Sequence, residues 1–381
     1  MRSIILYSYP PEPDGLSQQG DMLYRGMKEN SEEVWPCHLS SEFQKEWIYK
    51  LYKPQVALGV GFWGHTQDLI EHPQKFGVQP VPWLLADGWV ANYHDKIGSL
   101  PLVFTTSDWV KKTFERDGVD TKNFVTAHIG LEPNLFRPIP KTDPGVKLIR
   151  DMAGVRDDEV MILTTGGDVT SKGAQEILRA LKKVDQEFKN WKYVCKIWGG
   201  ASADDHYDDE MALIEELGES KDKVVYLDGS MSREFMPYLL SACDIYAAPS
   251  RLEGFGMVQV EAMACGKPVI SIDAMGPKET IKHGETGFLA KVASTVDLTS
   301  EWAYVGMGFE EDHRIEFDKP KTFAYRADVD ELAEYLLRLL KDQELREKMG
   351  KAARERAVEA FEYRKVAKRM ADVIKERLKL S

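Results

Sequence analysis

Short apolar, β-branched runs alternate with segments of helical period along most of this chain. The runs SIILYSY (3–9), VALGVGF (56–62), LVFTTS (102–107), VMILTTGG (160–167), YVCKIWGG (193–200), KVVYLDG (223–229), IYAAPS (245–250) and PVISID (268–273) predict strands. Between them, KGAQEILRALKKVDQEF places Ala174, Ile177, Leu178, Leu181 and Val184 at a 3.6-residue period, the signature of an amphipathic helix. Such alternation implies an α/β fold with parallel sheets covered on both faces. FRPIPKTDPGVK (136–147) interrupts the periodicity with three prolines and a glycine, and predicts a domain boundary. Residues 293–327 show no clear period and are expected to form an inserted loop or a small excursion. From Asp328 the pattern is helical to the end. Two doubly wound, Rossmann-like halves facing a cleft are the simplest architecture that fits.

Composition narrows the class. With 43 % hydrophobic and 29 % charged residues over 381 positions, the chain is an ordinary globular one. No run approaches the roughly 18 apolar residues of a membrane span. The five-residue apolar core near the N-terminus is too short for a secretory signal. Cys37, Cys195, Cys243 and Cys265 lie far apart with no framework spacing, so they are expected to be reduced and the protein cytoplasmic. The net charge is −12, and residues 1–145 hold 14 Lys and Arg against 18 Asp and Glu. An acidic body argues against a nucleic-acid partner. Residues 341–381 are basic, with 13 Lys and Arg against 8 Asp and Glu. That tail reads as a solvated helix face in preference to a contact with an anionic membrane. Metal-ligand spacings, HExxH and GxSxG are all missing from the sequence, so no metal site is predicted.

The most informative stretch is APSRLEGFGMVQVEAMACGKPVIS (248–271). IYAAPS is a strand, Gly254-Phe255-Gly256 a turn, and Met257–Cys265 a short apolar helix ended by Gly266 and Pro268. Glu253 lies in the loop at a strand's carboxyl end, where open α/β sheets bind ligands. Glu261 is a lone charge in the apolar helix, and helical side chains lean toward their N-terminus. The two carboxylates therefore converge beside a helix N-terminus whose N–H groups suit an anion. A carboxylate's paired oxygens suit a vicinal diol. Anion and diol together describe a nucleotide. Taken singly, Glu253 could equally be a helix-start acid satisfying the dipole, and Glu261 a buried, satisfied structural acid.

SRLEGFGMVQVEAMACGKPVI resembles the E-x7-E motif of the retaining GT-B glycosyltransferases of family 4, the group 1 enzymes. The likeness continues upstream through YLDGSMSREFMPYLLSACDIYAAPS and downstream through MGPKETIKHGETGFLA. It implies that Glu253 contacts the donor sugar and Glu261 the nucleotide ribose. The backbone amides of Gly254, Phe255, Gly256 and Met257 would face the sugar and phosphates. LTTGGDVTSKGAQEILRAL (163–181) is similar to the family's GR-x4-KG segment, whose Arg and Lys neutralise the leaving diphosphate. Lys172 is present, but Gly167 stands where the Arg belongs. Either the amides of Gly166 and Gly167 do more, or another cation such as Arg251 reaches in. The likeness also implies base contacts around Leu227–Met231.

In the N-terminal half the loop after the first strand resembles the family's glycine loop, with Gly15 in place of the usual glycine pair. VPWLLADGWVANYHD (81–95) aligns with a strand that usually ends in a His near the transferred sugar; here Asp87 takes that place and His94 follows. Trp63 and Trp89, at the ends of strands, could stack on a sugar or simply pack.

The resemblance thus implies an acceptor domain at 1–145, a donor domain at 146–355, and a helix at 356–381 that crosses back onto the first. The implied reaction is same-face hexosyl transfer from a nucleoside-diphosphate sugar to a hydroxyl of a sugar, polyol or glycolipid, with retention. Lys172 and Glu253 carry the chemistry, and no divalent metal or other cofactor is required. A nicotinamide oxidoreductase is disfavoured, because PPEPDGLSQQG replaces the GxGxxG it would need after strand one. A GT-B phosphorylase or epimerase, and a silent sugar-nucleotide binding module, remain as alternatives.

Overall fold

The computed structural model describes residues 1–12, 14–86, 88–198 and 201–380. The chain divides into two compact units. Met1–Glu132, Asp297–Phe323 and Phe361–Ser381 form the first, and Pro133–Val296 with Ala324–Ala360 the second.

The first unit is built on β1 (Arg2–Tyr7), β2 (Glu33–His38), β3 (Val56–Phe62), β4 (Gln79–Leu85), β5 (Val103–Thr105) and β6 (Phe124–Thr126). They form one parallel sheet in the order β2-β1-β3-β4-β5-β6. β1, β3 and β4 are buried on both faces, which is why they read as continuous apolar runs. β2 was not predicted. It is an edge strand of alternating exposure that carries Pro36, a residue that edges tolerate because they need fewer ladder bonds.

The second unit holds β7 (Val160–Thr165), β8 (Trp191–Ile197), β9 (Val224–Asp228), β10 (Ile245–Ala247), β11 (Val269–Ile272) and β12 (Gly287–Ala290). Their order is β12-β11-β10-β7-β8-β9, again all parallel. The order reverses between β7 and β10, so the loops leaving those two strands flank the crevice where doubly wound sheets take ligands. Asp244 ties the two strands together below that point. Its Oδ2 accepts from the Met161 backbone N–H (2.8 Å) and from Arg150 (3.1 Å), and Lys141 pairs with Oδ1.

Two expectations change here. Pro144 and Gly145, read as linker breakers, open the helix Pro144–Met152: Asp143 caps it by accepting from the Gly145 N–H at 2.8 Å, and proline suits a first helical turn. Of the two readings of 293–327, the loop gives way to the excursion: a two-stranded sheet, β13 (Val292–Ala303) and β14 (His313–Ala327). HRIEFD alternates half-buried His313, Ile315 and Phe317 with exposed Arg314, Glu316 and Asp318, a period of two.

Residues 297–323 pack within the first unit. Phe317 meets Trp89 at 5.2 Å between ring centroids, and Lys321 pairs with Asp117 at 2.8 Å. Asn92 donates to the Gly308 carbonyl at 3.1 Å. The closing helix, Tyr363–Leu378, belongs to the same unit and lies on helix Gly15–Glu29. Tyr363 donates to Glu29 at 2.7 Å, and Asn30 to the Arg364 carbonyl at 2.8 Å.

Candidate active site

In the second unit the loop after β7 turns at Gly166 and Gly167 and re-enters helix Ala174–Val184 through Gly173. Gly173 has φ +86°, and a Cβ there would lie 2.4 Å from the Pro249 carbonyl oxygen. Glycine is thus required twice, by backbone conformation and by the neighbouring loop after β10. That second loop carries Glu253 and enters helix Met257–Ala264 through Gly256 (φ +93°). The buried Phe255 side chain anchors it, and Gly276 braces it by donating to the Glu253 carbonyl at 3.1 Å.

Glu253 joins the two loops. Its Oε2 accepts from Lys172 Nζ at 2.8 Å and its Oε1 from the Gly256 backbone N–H at 2.9 Å. Lys172 and Glu253 are both partly open to solvent. One turn and a half further on, Glu261 is buried in the helix, where Arg233 donates to its Oε1 at 3.2 Å. The Tyr246 hydroxyl lies between the two glutamates electrostatically. Burial pushes its pKa up, and the charges of Glu253 and Glu261 push it further, so the phenol stays protonated. Tyr246 shares a hydrogen bond with Thr165 at 2.9 Å. The structure therefore gathers Lys172, Glu253, Gly256 and Glu261 around the carboxyl ends of β7 and β10. Gly254, Phe255 and Met257 follow as parts of the same loop and helix start, whose first N–H groups have no intrahelical acceptor.

Gly166 donates its N–H to the Lys196 carbonyl at 3.0 Å. Gly167 has a steric reason for lacking a side chain: a Cβ would fall 2.6–2.9 Å from indole atoms of Trp198. Arg251 does not supply the missing cation. Its guanidinium is held by Glu176 (2.9 Å) and Gln175 (3.1 Å) in the first turn of helix Ala174–Val184. Arg233 went unrecognised from sequence because nothing local links it to Glu261, 28 positions away.

The candidates of the first unit form no comparable cluster. Gly15 is the exposed first residue of its helix, behind the Asp14 cap. Trp63 and Trp89 are 2 % and 9 % exposed. Trp63 packs edge-on against Trp89 and donates its Nε1–H to the Trp89 carbonyl at 2.8 Å, while Trp89 also meets Phe317. Of the two alternatives, packing is what the side chains do here: both are largely buried, packed on one another and, for Trp89, on Phe317. His94 is half-buried, its Nε2 3.3 Å from the Val90 carbonyl. Asp87 lies outside the described residues.

Residues 146–302 match the family model of the glycosyl transferases group 1. This segment is similar to the group 1 glycosyltransferases. An uncharacterized glycosyltransferase of Methanocaldococcus jannaschii is 35 % identical over 162 residues, 41 % of this chain and 40 % of that protein. A D-inositol 3-phosphate glycosyltransferase of Rhodococcus erythropolis is 28 % identical over 198 residues, 51 % of this chain and 43 % of that one. The chain thus spans less than half the length of these two curated relatives. Among solved structures, HepE of Anabaena in complex with UDP and glucose aligns at a TM-score of 0.71 and 16 % identity, over 99 % of this chain and 100 % of that one. Sucrose-phosphate synthase of Thermosynechococcus elongatus aligns at 0.74 and 17 % over the whole of both. The fold is GT-B, with two Rossmann-like domains. Among the described residues no helix is long and apolar enough to cross a membrane, and no three His, Cys, Asp or Glu side chains are grouped to hold a metal.

Proposed function

We propose that this group 1 glycosyltransferase moves a hexosyl group from a nucleoside-diphosphate sugar to a hydroxyl acceptor, a sugar, polyol or glycolipid, with retention. The observation that carries the reading is the bridge from Lys172 through Glu253 to the N-terminus of helix Met257–Ala264. It sets a cation, a helix start and a diol-binding carboxylate at the strand-order reversal of one sheet. Lys172 and the helix N–H groups stabilise the charge that develops on the departing diphosphate. Glu253 holds the donor sugar's hydroxyls, and Glu261, fixed by Arg233, holds the ribose. The charges for this step come from the chain, so a divalent metal is not essential in this reading. The UDP and glucose bound by HepE and the glycosyltransferase names of the relatives support the same assignment.

Thermal-shift screening against millimolar UDP, GDP and ADP tests it. A ligand present at 100 times its Kd stabilises the folded state by about 2.7 kcal/mol. At least one of the three should raise Tm, and donor hydrolysis should then follow that base. If all three leave Tm unchanged, the transferase reading is wrong. Product anomeric configuration, read by NMR, decides retention.

A further inference from the structure

Lys196 is a cation at the carboxyl end of β8 that is only 4 % exposed. Among the described residues it has no ion pair or side-chain hydrogen bond. Its ammonium sits 4.1 Å from the centre of the Trp198 ring. Trp198 is itself 47 % exposed, and the same indole lies on the Gly167 α-carbon. Its Nε1–H, one of the atoms nearest Gly167, donates to no described residue. Two donors with no acceptor among the described residues thus lie at the turn that follows β7.

Their placement follows from the strand register. Lys196 lies near the end of β8 and Trp198 follows directly after it, with the ammonium over the indole ring. Thr165 on β7 is the register partner of Lys196, Thr165 reaches the Tyr246 hydroxyl on β10, and Tyr246 senses Glu253 and Glu261. Lys196 and the two carboxylates therefore lie along one row of strand ends, with β8 two strand spacings, about 10 Å, from β10. One nucleoside diphosphate reaches across that row. The carboxylates nearby do not neutralise Lys196 by contact. Asp168 is turned into hydrogen bonds with the Thr170 N–H (2.9 Å) and His206 (3.0 Å), and Asp228 on β9 acts only through its charge. Burial pulls the Lys196 pKa below the ordinary lysine value while Asp228 opposes the shift. A buried ammonium without a counter-ion is costly, and an anionic ligand relieves that cost better than a neutral carbonyl does.

We propose that Lys196 and Trp198 form a phosphate-binding pair in the donor site, the ammonium and the indole N–H both serving the diphosphate at the Gly166–Gly167 turn. The inference rests on the nucleotide-sugar reading above. It explains how a segment with 146–340 strongly acidic in sequence can hold a dianion where Gly167 has no side chain.

Calorimetric titration with UDP, GDP and ADP, each set against its own nucleoside, tests the pair on the full chain. Lys196→Met should weaken the diphosphate that wild type binds by about tenfold and leave the nucleoside within about twofold, as expected for a lost charge-assisted hydrogen bond. Trp198→Phe keeps the ring and deletes the N–H; it should cost about threefold, again on the diphosphate alone, and stands in if Lys196→Met does not fold. Adding Trp198→Gly with Gly167→Arg to Lys196→Met should restore diphosphate affinity. Equal losses for nucleoside and diphosphate, or unchanged affinity in both single variants, overturn the pair's role while leaving the transferase reading intact. A wild type that binds none of the three diphosphates overturns both.

Discussion

The two parallel sheets end differently. At the carboxyl ends of its strands the second unit presents acidic and basic side chains: Lys172 on Glu253 in the loops after β7 and β10, Arg233 on Glu261, and Lys196 beside Trp198 at the end of β8. At the ends of β3 and β4 the first unit is closed by aromatic packing, with Trp63 on Trp89 and Trp89 on Phe317. Asp117 fastens that closure. It accepts from the Val90 N–H at 2.7 Å on the loop after β4, and from Lys321 at 2.8 Å on β14. The same type of sheet therefore carries clustered charged residues at its end in one unit and a covered end in the other. What differs is the insertion: residues 297–323 are supplied to the first unit from nearly two hundred positions downstream.

The contrast can be broken most sharply at Trp63. If it is packing, Trp63→Ala should cost about 3–5 kcal/mol of stability in urea denaturation, as large core truncations do. Trp302, 48 % exposed on β13, should cost under about 0.5 kcal/mol on the same change. A Trp63→Ala protein of normal stability with lost turnover would make it a ligand contact after all. Next in size is Glu253→Ala. It should lower turnover about 100-fold with nucleoside-diphosphate affinity within about threefold, because its interactions serve the transferred sugar. Glu261→Ala should show the reverse split, about tenfold weaker nucleotide binding with a smaller effect on saturated turnover. Identical behaviour of the two glutamates would remove the distinction between their subsites.

The pH response is the smallest effect and should be common to both units. Burial alone would raise Asp117 and Asp244. Hydrogen bonds from Arg116, Lys321 and the Val90 N–H outweigh it at Asp117, and Lys141 with Arg150 at Asp244, so both carboxylates stay below the usual range. A depressed carboxylate contributes stability that is present above the unfolded value of about 3.9 and is lost as pH falls through the folded one. Urea midpoints should therefore hold from pH 7 to 5 and fall below about pH 4. A protein whose midpoint already drops between pH 7 and 6 would show that these carboxylates do not set its acid limit.

The second unit was the more legible from sequence because its site is local. Glu253, Gly256 and Glu261 lie within nine residues of one strand-turn-helix, and Lys172 opens the helix of another. In the first unit, Trp63 and Trp89 have the same local context as a surface aromatic at a strand end. Phe317, far along the chain, packs on Trp89.

The amino-acid sequence by itself determined the parallel α/β class, through apolar runs separated by 3.6-period segments, and the two glycine-bearing loops of the second unit, whose turns favour glycine. It also set which charges were available. Tertiary structure alone decided their use. Arg251 faces Glu176 rather than the Gly166–Gly167 turn, Arg233 reaches Glu261 from the loop after another strand, and Trp198 fills the space a residue-167 side chain would need. The reason is physical. Periodicity and turn chemistry act over a few residues, whereas the partner of a buried charge is whichever strand the sheet order brings alongside.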